Sequence, residues 1–230
     1  MPAKKEKLYK DLPRPKLNRA QIHKIYEHLY SLDPAPRTEL NYSNPFTLVV
    51  AVALSAQSTD VGVNKATKAL FEKADTPEKM VALGEDTIRD HIKTIGLYKN
   101  KAKNVFALSK MLIEDYGSVV PDDRDELIKL PGVGRKTANV VLNEAFGQPT
   151  MAVDTHIFRV ANRTGMAPGK DVYQVELNLL RVTPERFGLH AHHWLILHGR
   201  YTCVARKPKC YNCAIREICK FSKKTQNPED

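Results

Sequence analysis

Four cysteines spaced Cys203-x6-Cys210-x2-Cys213-x5-Cys219 stand within 17 residues near the end of a 230-residue chain. Thiolates that close together can surround one metal centre, and the Cys-x2-Cys pair supplies two adjacent ligands. On spacing alone, a zinc site and a cubane iron–sulfur cluster are both open. Between Cys203 and Cys210 runs Val204-Ala205-Arg206-Lys207-Pro208-Lys209. Clipping the ends of this loop to a metal would display Arg206, Lys207 and Lys209 on a rigid cationic finger.

A second constellation is Leu130-Pro131-Gly132-Val133-Gly134-Arg135-Lys136. Pro131 stops one helix, the glycines permit a tight turn, and a new helix begins with its positive end outward. The N–H groups of such a turn suit a phosphate, with Gly132, Val133, Gly134 and Arg135 as candidate contacts, although the string also fits an ordinary helix–helix turn. Lys136 comes next. A lysine becomes a nucleophile only by losing its proton, which neighbouring cations and a helix N-terminus favour. Further on, Val153-Asp154-Thr155-His156 opens another helix. Asp154 is a good N-cap there, and capping also fixes where its carboxylate points.

These residues need a scaffold, and the composition says which kind. With 42% hydrophobic residues the chain is not disordered, and its length allows one large domain or two small ones. The longest apolar stretch, 46–56, is about half of the ~20 residues that a membrane span needs. After MPAKKEKLYK no secretory signal is readable, so a reducing compartment is expected, in which crowded cysteines are metal ligands rather than disulfides. The net charge is +10 and uneven: residues 1–25 hold eight Lys/Arg against two acids, and residues 205–225 hold seven against one. Basic ends of this kind fit a polyanion such as nucleic acid.

The periodicity is helical almost throughout. Asn18 caps a stripe of Ile22, Ile25, Tyr26 and Leu29, and residues 45–56 and 60–71 follow as helices. Thr76 with Pro77 starts a short helix ending near Gly84; another spans 85–95, with Gly96 as its stop. Residues 98–116 carry the strongest amphipathic pattern, and 123–130, 135–146, 156–164, 172–181 and 189–200 complete the series. No period-2 alternation is found, so the expected class is all-α. Residues 1–17, with three prolines among lysines, are expected to form a flexible basic arm.

The string PGVGRKTA resembles the helix-hairpin-helix element of DNA repair glycosylases, which grips the DNA backbone rather than base edges. With LSAQSTD at 54–60, IGLYKNKA at 95–102, LPGVGRKTANVVLN at 130–143, AVDTHIFRV at 152–160, HHWLILHGRYTC at 192–203 and the cysteine spacing, the chain resembles the endonuclease III family of DNA glycosylases. The likeness runs from about residue 19 to residue 219.

That resemblance implies a bifunctional base-excision-repair DNA glycosylase and AP lyase acting on duplex DNA with damaged pyrimidines or abasic sites. It would remove oxidised pyrimidines through a Schiff base on Lys136, with Asp154 as the catalytic carboxylate, and cut 3′ to the abasic site by β-elimination. Gln57 matches the residue that fills the gap left by the extruded nucleotide, and Leu97 an apolar wedge. The four cysteines would hold a [4Fe-4S] cluster. The implied architecture is a six-helix barrel over 38–149 and a cluster module of 18–37 plus 150–230, with the DNA cleft between them. A cytoplasmic, nucleoid-associated monomer is expected. The rival branch, which removes adenine opposite oxidised guanine, lacks a lysine at the position of Lys136.

Overall fold

The structure is a computed structural model describing Tyr9 and residues 11–227. Among the described residues it is all helical: α1 (Arg19–Leu32), α2 (Pro45–Leu54), α3 (Asp60–Lys73), α4 (Pro77–Ile92), α5 (Tyr98–Tyr116), α6 (Arg124–Leu127), α7 (Arg135–Phe146), α8 (Thr155–Thr164), α9 (Val172–Val182) and α10 (Gly188–Tyr201). Short 3₁₀ turns lie at Glu185–Phe187 and Cys210–Asn212. None of these helices is long and apolar enough to cross a membrane. The chain divides into two compact units, one made of the residues up to Arg37 with those from Pro149 onward, the other Thr38–Gln148.

The contiguous unit is built around α2. Its sequence PFTLVVAVAL has no polar face, and eight of its residues are buried, Phe46 through Val52 and Leu54. A helix apolar all round belongs at a centre, and α3, α5 and α7 pack against it. Asn44 fixes its start through a capping box with Thr47, followed by Pro45 at the first helical position. The helices expected on either side of Gly84 are both present within α4, which leaves helical backbone at Gly84, where φ is 78° and ψ 157°. Residues 123–130 differ from expectation, since only Arg124–Leu127 is α-helical. Lys129 and Leu130 close back on Glu126 and Leu127 at 3.1 and 3.2 Å, because Pro131 disfavours helical backbone at the residue before it.

The other unit joins α1 to the last third of the chain. Ile22, Ile25, Tyr26 and Leu29 of α1 share one core with Ile157, Val160, Leu179, Phe187, Trp194 and Leu195. Tyr26 stacks on Phe187 with centroids 5.7 Å apart, and its hydroxyl lies 2.8 Å from Thr183 Oγ1. Trp194 Nε1 donates to the Asp33 carbonyl at 2.7 Å. Of the segment expected as a flexible arm, residues 1–8 and 10 lie outside the described residues. The rest is anchored: the Lys16 N–H donates to the Gly165 carbonyl at 2.8 Å, Leu17 is buried, and the Pro13 carbonyl accepts from Asn178 Nδ2 at 3.1 Å. Prolines and lysines read as loose in sequence, but here the Pro13 carbonyl and the Leu17 side chain find partners in the last third of the chain.

Candidate functional site

In the contiguous unit, α5 is the common frame. Leu97 stands at its N-cap with φ 59°, 58% exposed, an apolar side chain held outward on left-handed backbone. Seven residues on, about 10 Å along the axis at ~1.5 Å per residue, Asn104 meets the hairpin. A Cβ built on Gly132, which has φ +80°, would lie 3.0 Å from the Asn104 side chain. Only glycine allows both that backbone and that approach. Gln57 is exposed at φ 56°, and its carbonyl oxygen would be 3.8 Å from a Cβ on Gly96. The turns carrying Gln57 and Leu97 are therefore neighbours.

The hairpin itself ends at Gly134, which begins α7 with no side-chain cap. The first-turn N–H groups of a helix have no intrahelical acceptors, so this end, with Arg135 and the exposed Lys136 in its first turn, is arranged for an anion. Val133 is the inner member of the turn. Its N–H donates to the Leu130 carbonyl at 3.0 Å and its side chain is 5% exposed, so it anchors the turn from inside.

In the discontinuous unit, α8 is the frame. Asp154 caps it, Oδ1 accepting from the N–H groups of His156 and Ile157 at 2.8 and 2.9 Å, which fixes the carboxylate at the helix start. Where α8 meets α10, a Cβ on Gly199 would lie 2.8 Å from His156 Cβ, so this close approach requires the glycine. Two arginines one turn apart on α8 then reach across. Arg159 Nε donates to the Cys203 carbonyl and its Nη2 to the Gly199 carbonyl, both at 2.8 Å. Arg163 donates to the carbonyls of Val204 and Ala205 at 2.8 and 2.9 Å, and stacks 4.6 Å over the Phe221 ring. Sequence reasoning passed over both; their signal was the i, i+4 arginine pair inside AVDTHIFRVANRT.

Cys203, Cys210, Cys213 and Cys219 line one cavity with His198, Ile215 and Phe221, and none forms a disulfide. Burial, reinforced by the other thiols, pushes the Cys213 thiol up to about 11, and burial also raises that of Cys219. Burial lowers His198 to about 4, its Nε2 lying 3.7 Å from the Cys213 sulfur. N–H donors face two of the other sulfurs: Arg163 Nη1 is 3.6 Å from Cys203 Sγ, and the Phe221 N–H 3.5 Å from Cys219 Sγ. Four thiols around one cavity, met by N–H groups, fit a thiolate-ligated centre. Among the described residues no group of three or more His, Cys, Asp or Glu is placed to hold a single metal ion. The basic loop leaves the cavity with Arg206, Lys207 and Lys209 exposed, Pro208 buried and Lys207 at φ 49°.

Residues 50–185 match the family described as HhH-GPD superfamily base excision DNA repair protein. Endonuclease III of Escherichia coli K12 is 56% identical over 208 residues, covering 90% of this chain and 99% of that protein. Endonuclease III of Rickettsia felis is 60% identical over 200 residues, 87% of this chain and 94% of that one. A solved endonuclease III–DNA covalent intermediate, trapped as an estranged-adenine complex, superposes with a TM-score of 0.83 at 46% identity, over 89% of this chain and 96% of that one. By this family match, these identities and this superposition, the chain belongs to the endonuclease III family within the HhH-GPD superfamily of base excision DNA repair proteins.

Proposed function

We propose that this chain, a DNA glycosylase and AP lyase by family, excises oxidised pyrimidines from duplex DNA with Lys136 as the nucleophile. The observation that carries the reading is the placement of an exposed lysine in the first turn of a helix that no side chain caps, directly after a glycine hairpin. The hairpin amides and Arg135 hold a backbone phosphate, giving affinity without sequence preference. Gln57 and Leu97 enter the duplex as the damaged nucleotide leaves the stack, a step that costs a few kcal/mol and less for a weakened base.

The nitrogen lone pair of Lys136 then attacks the sugar C1′ and the base departs with the glycosidic bonding electrons. Loss of an amine proton and opening of the ring give the Schiff base, which makes the C2′ proton acidic. Its removal expels the 3′ phosphate, and the strand is cut by β-elimination. Asp154, held by its helix cap, stabilises positive charge on the sugar or accepts the lysine proton.

The four cysteines are the ligands of a [4Fe-4S] cluster in this reading, supported by the shared cavity and the N–H groups facing sulfur. When bound, the cluster would crosslink the four cysteine thiolates through iron and so stiffen the basic loop. Arg206, Lys207 and Lys209 then meet backbone phosphates.

Borohydride reduction on DNA with an abasic site tests the nucleophile. The native chain should become covalently joined to DNA and Lys136→Ala should not, while Lys136→Gln still binds. An adduct of undiminished yield in Lys136→Ala would move the nucleophile to another residue.

A further inference from the structure

Lysine is among the residues least often found inside a protein, since its ammonium loses hydration there. Lys101 is only 7% exposed. Its backbone N–H donates to the Leu97 carbonyl at 3.0 Å, so it sits one turn into α5, directly behind the residue at the N-cap. Its ammonium leaves that helix altogether and donates to Ser58 Oγ at 2.9 Å. Ser58 follows Gln57 and closes the same turn, its own N–H donating to the Ser55 carbonyl at 3.0 Å. Partial burial keeps the Lys101 amine below the ordinary lysine range, so its charged form is held there at an energetic cost.

Lys101 thus spans from the helix headed by Leu97 to the turn headed by Gln57. Both turns need such a restraint. Gln57 and Leu97 adopt φ 56° and 59°, a region that non-glycine residues occupy only when their surroundings impose it. Two independently mobile turns would each lose conformational freedom on entering a duplex, whereas a pair fixed beforehand avoids most of that loss.

We infer that Lys101 is a positioning residue whose bridge to Ser58 locks the Gln57 and Leu97 turns together, so that both side chains enter the DNA as one rigid wedge. This rests on the proposal above that those two residues contact DNA. The chemistry recognised is the gap in a base stack beside the opposite, intact base.

The test places 2-aminopurine opposite a tetrahydrofuran abasic analogue in duplex DNA and reads its fluorescence at saturating protein, an amplitude that is independent of affinity and of catalysis. Native protein should raise the signal by unstacking the probe. Lys101→Met keeps the aliphatic stem and loses the ammonium, and should cut the rise at least threefold. Ser58→Ala should act in the same direction, and Ser58→Thr, which keeps the hydroxyl, should restore the native amplitude. The Lys101→Met/Ser58→Ala double variant should be no worse than the stronger single one, because both remove one bridge.

A native amplitude in Lys101→Met, or additive losses in the double variant, would overturn the inference. Gln57→Ala and Leu97→Ala separate the two levels. If both reduce the signal while Lys101→Met does not, only the positioning role falls. If neither does, the contact role of the two turns falls, and the inference with it.

Discussion

The Arg163 guanidinium lies 3.6 Å from the Cys203 sulfur while its other N–H groups donate to the carbonyls of Val204 and Ala205, the next two residues in the chain. One side chain of α8 therefore grips both a candidate cluster ligand and the root of the basic loop. Each carbonyl contact is a charge-assisted bond worth about 1.5–3 kcal/mol. Arg163→Met should free the loop without touching a cysteine. Limited trypsin digestion reads this directly, since cleavage after Arg206 or Lys209 should become severalfold faster. Unchanged cleavage would mean that the loop holds its course without Arg163.

Asp154→Asn separates capping from chemistry. Asparagine caps helices as well as aspartate, so the two bonds to His156 and Ile157 survive and thermal stability should stay close to native. Glycosylase turnover should fall by about 10²–10⁴-fold if the carboxylate takes part in proton transfer or charge stabilisation. Near-native turnover would leave Asp154 a structural cap.

Lys207 and Cys213 should give different phenotypes although both belong to one segment. Lys207→Asn removes a charge yet suits the left-handed backbone at φ 49°, so the loop should persist. The log–log slope of DNA affinity against salt should then flatten by about one, the signature of one lost phosphate contact. Cys213→Ser should instead abolish the brown colour expected of an iron–sulfur protein and lower the melting temperature. Colourless, fully active native protein holding zinc would replace the cluster while leaving the lysine chemistry intact.

Alkaline stability should depend on Tyr26. Burial raises its hydroxyl above the usual tyrosine range, against a smaller opposing effect of its bond to Thr183. The folded state therefore keeps a proton that the unfolded chain releases above pH ~10. With more protons bound to the native form, stability falls as pH rises beyond that point. Tyr26→Phe should lose about 1 kcal/mol at neutral pH from the missing hydrogen bond, yet show a shallower alkaline decline in denaturant titrations. Parallel native and variant curves above pH 10 would refute it.

What the sequence revealed was local. The Asn18 cap, the helix opened by Pro45 and the Pro131–Gly134 turn are each written within a few residues, and the structure follows them. What it hid depends on distance or on backbone. The contacts of Lys101 and Arg163 are not legible locally because their partners, Ser58 and the carbonyls of Val204 and Ala205, are 43 and 41–42 residues away. Glutamine and leucine show no preference for positive φ, so nothing at positions 57 and 97 announces the left-handed backbone that directs them. The internal bond from the Val133 N–H to the Leu130 carbonyl is likewise not visible until the turn is folded.

The discontinuous unit has a consequence for the order of synthesis. The Asp33 carbonyl and the Trp194 indole that seals against it are 161 residues apart in sequence. At roughly 5–20 residues per second, a ribosome needs on the order of ten to thirty seconds to make that stretch. The contiguous unit, Thr38–Gln148, can close during this interval. Meanwhile Ile22, Ile25, Tyr26 and Leu29 wait as an apolar stripe without their core. An emerging chain arrested before α10 should therefore present α1 to chaperones that hold exposed apolar helices, and should release it once Trp194 and Leu195 have cleared the exit tunnel.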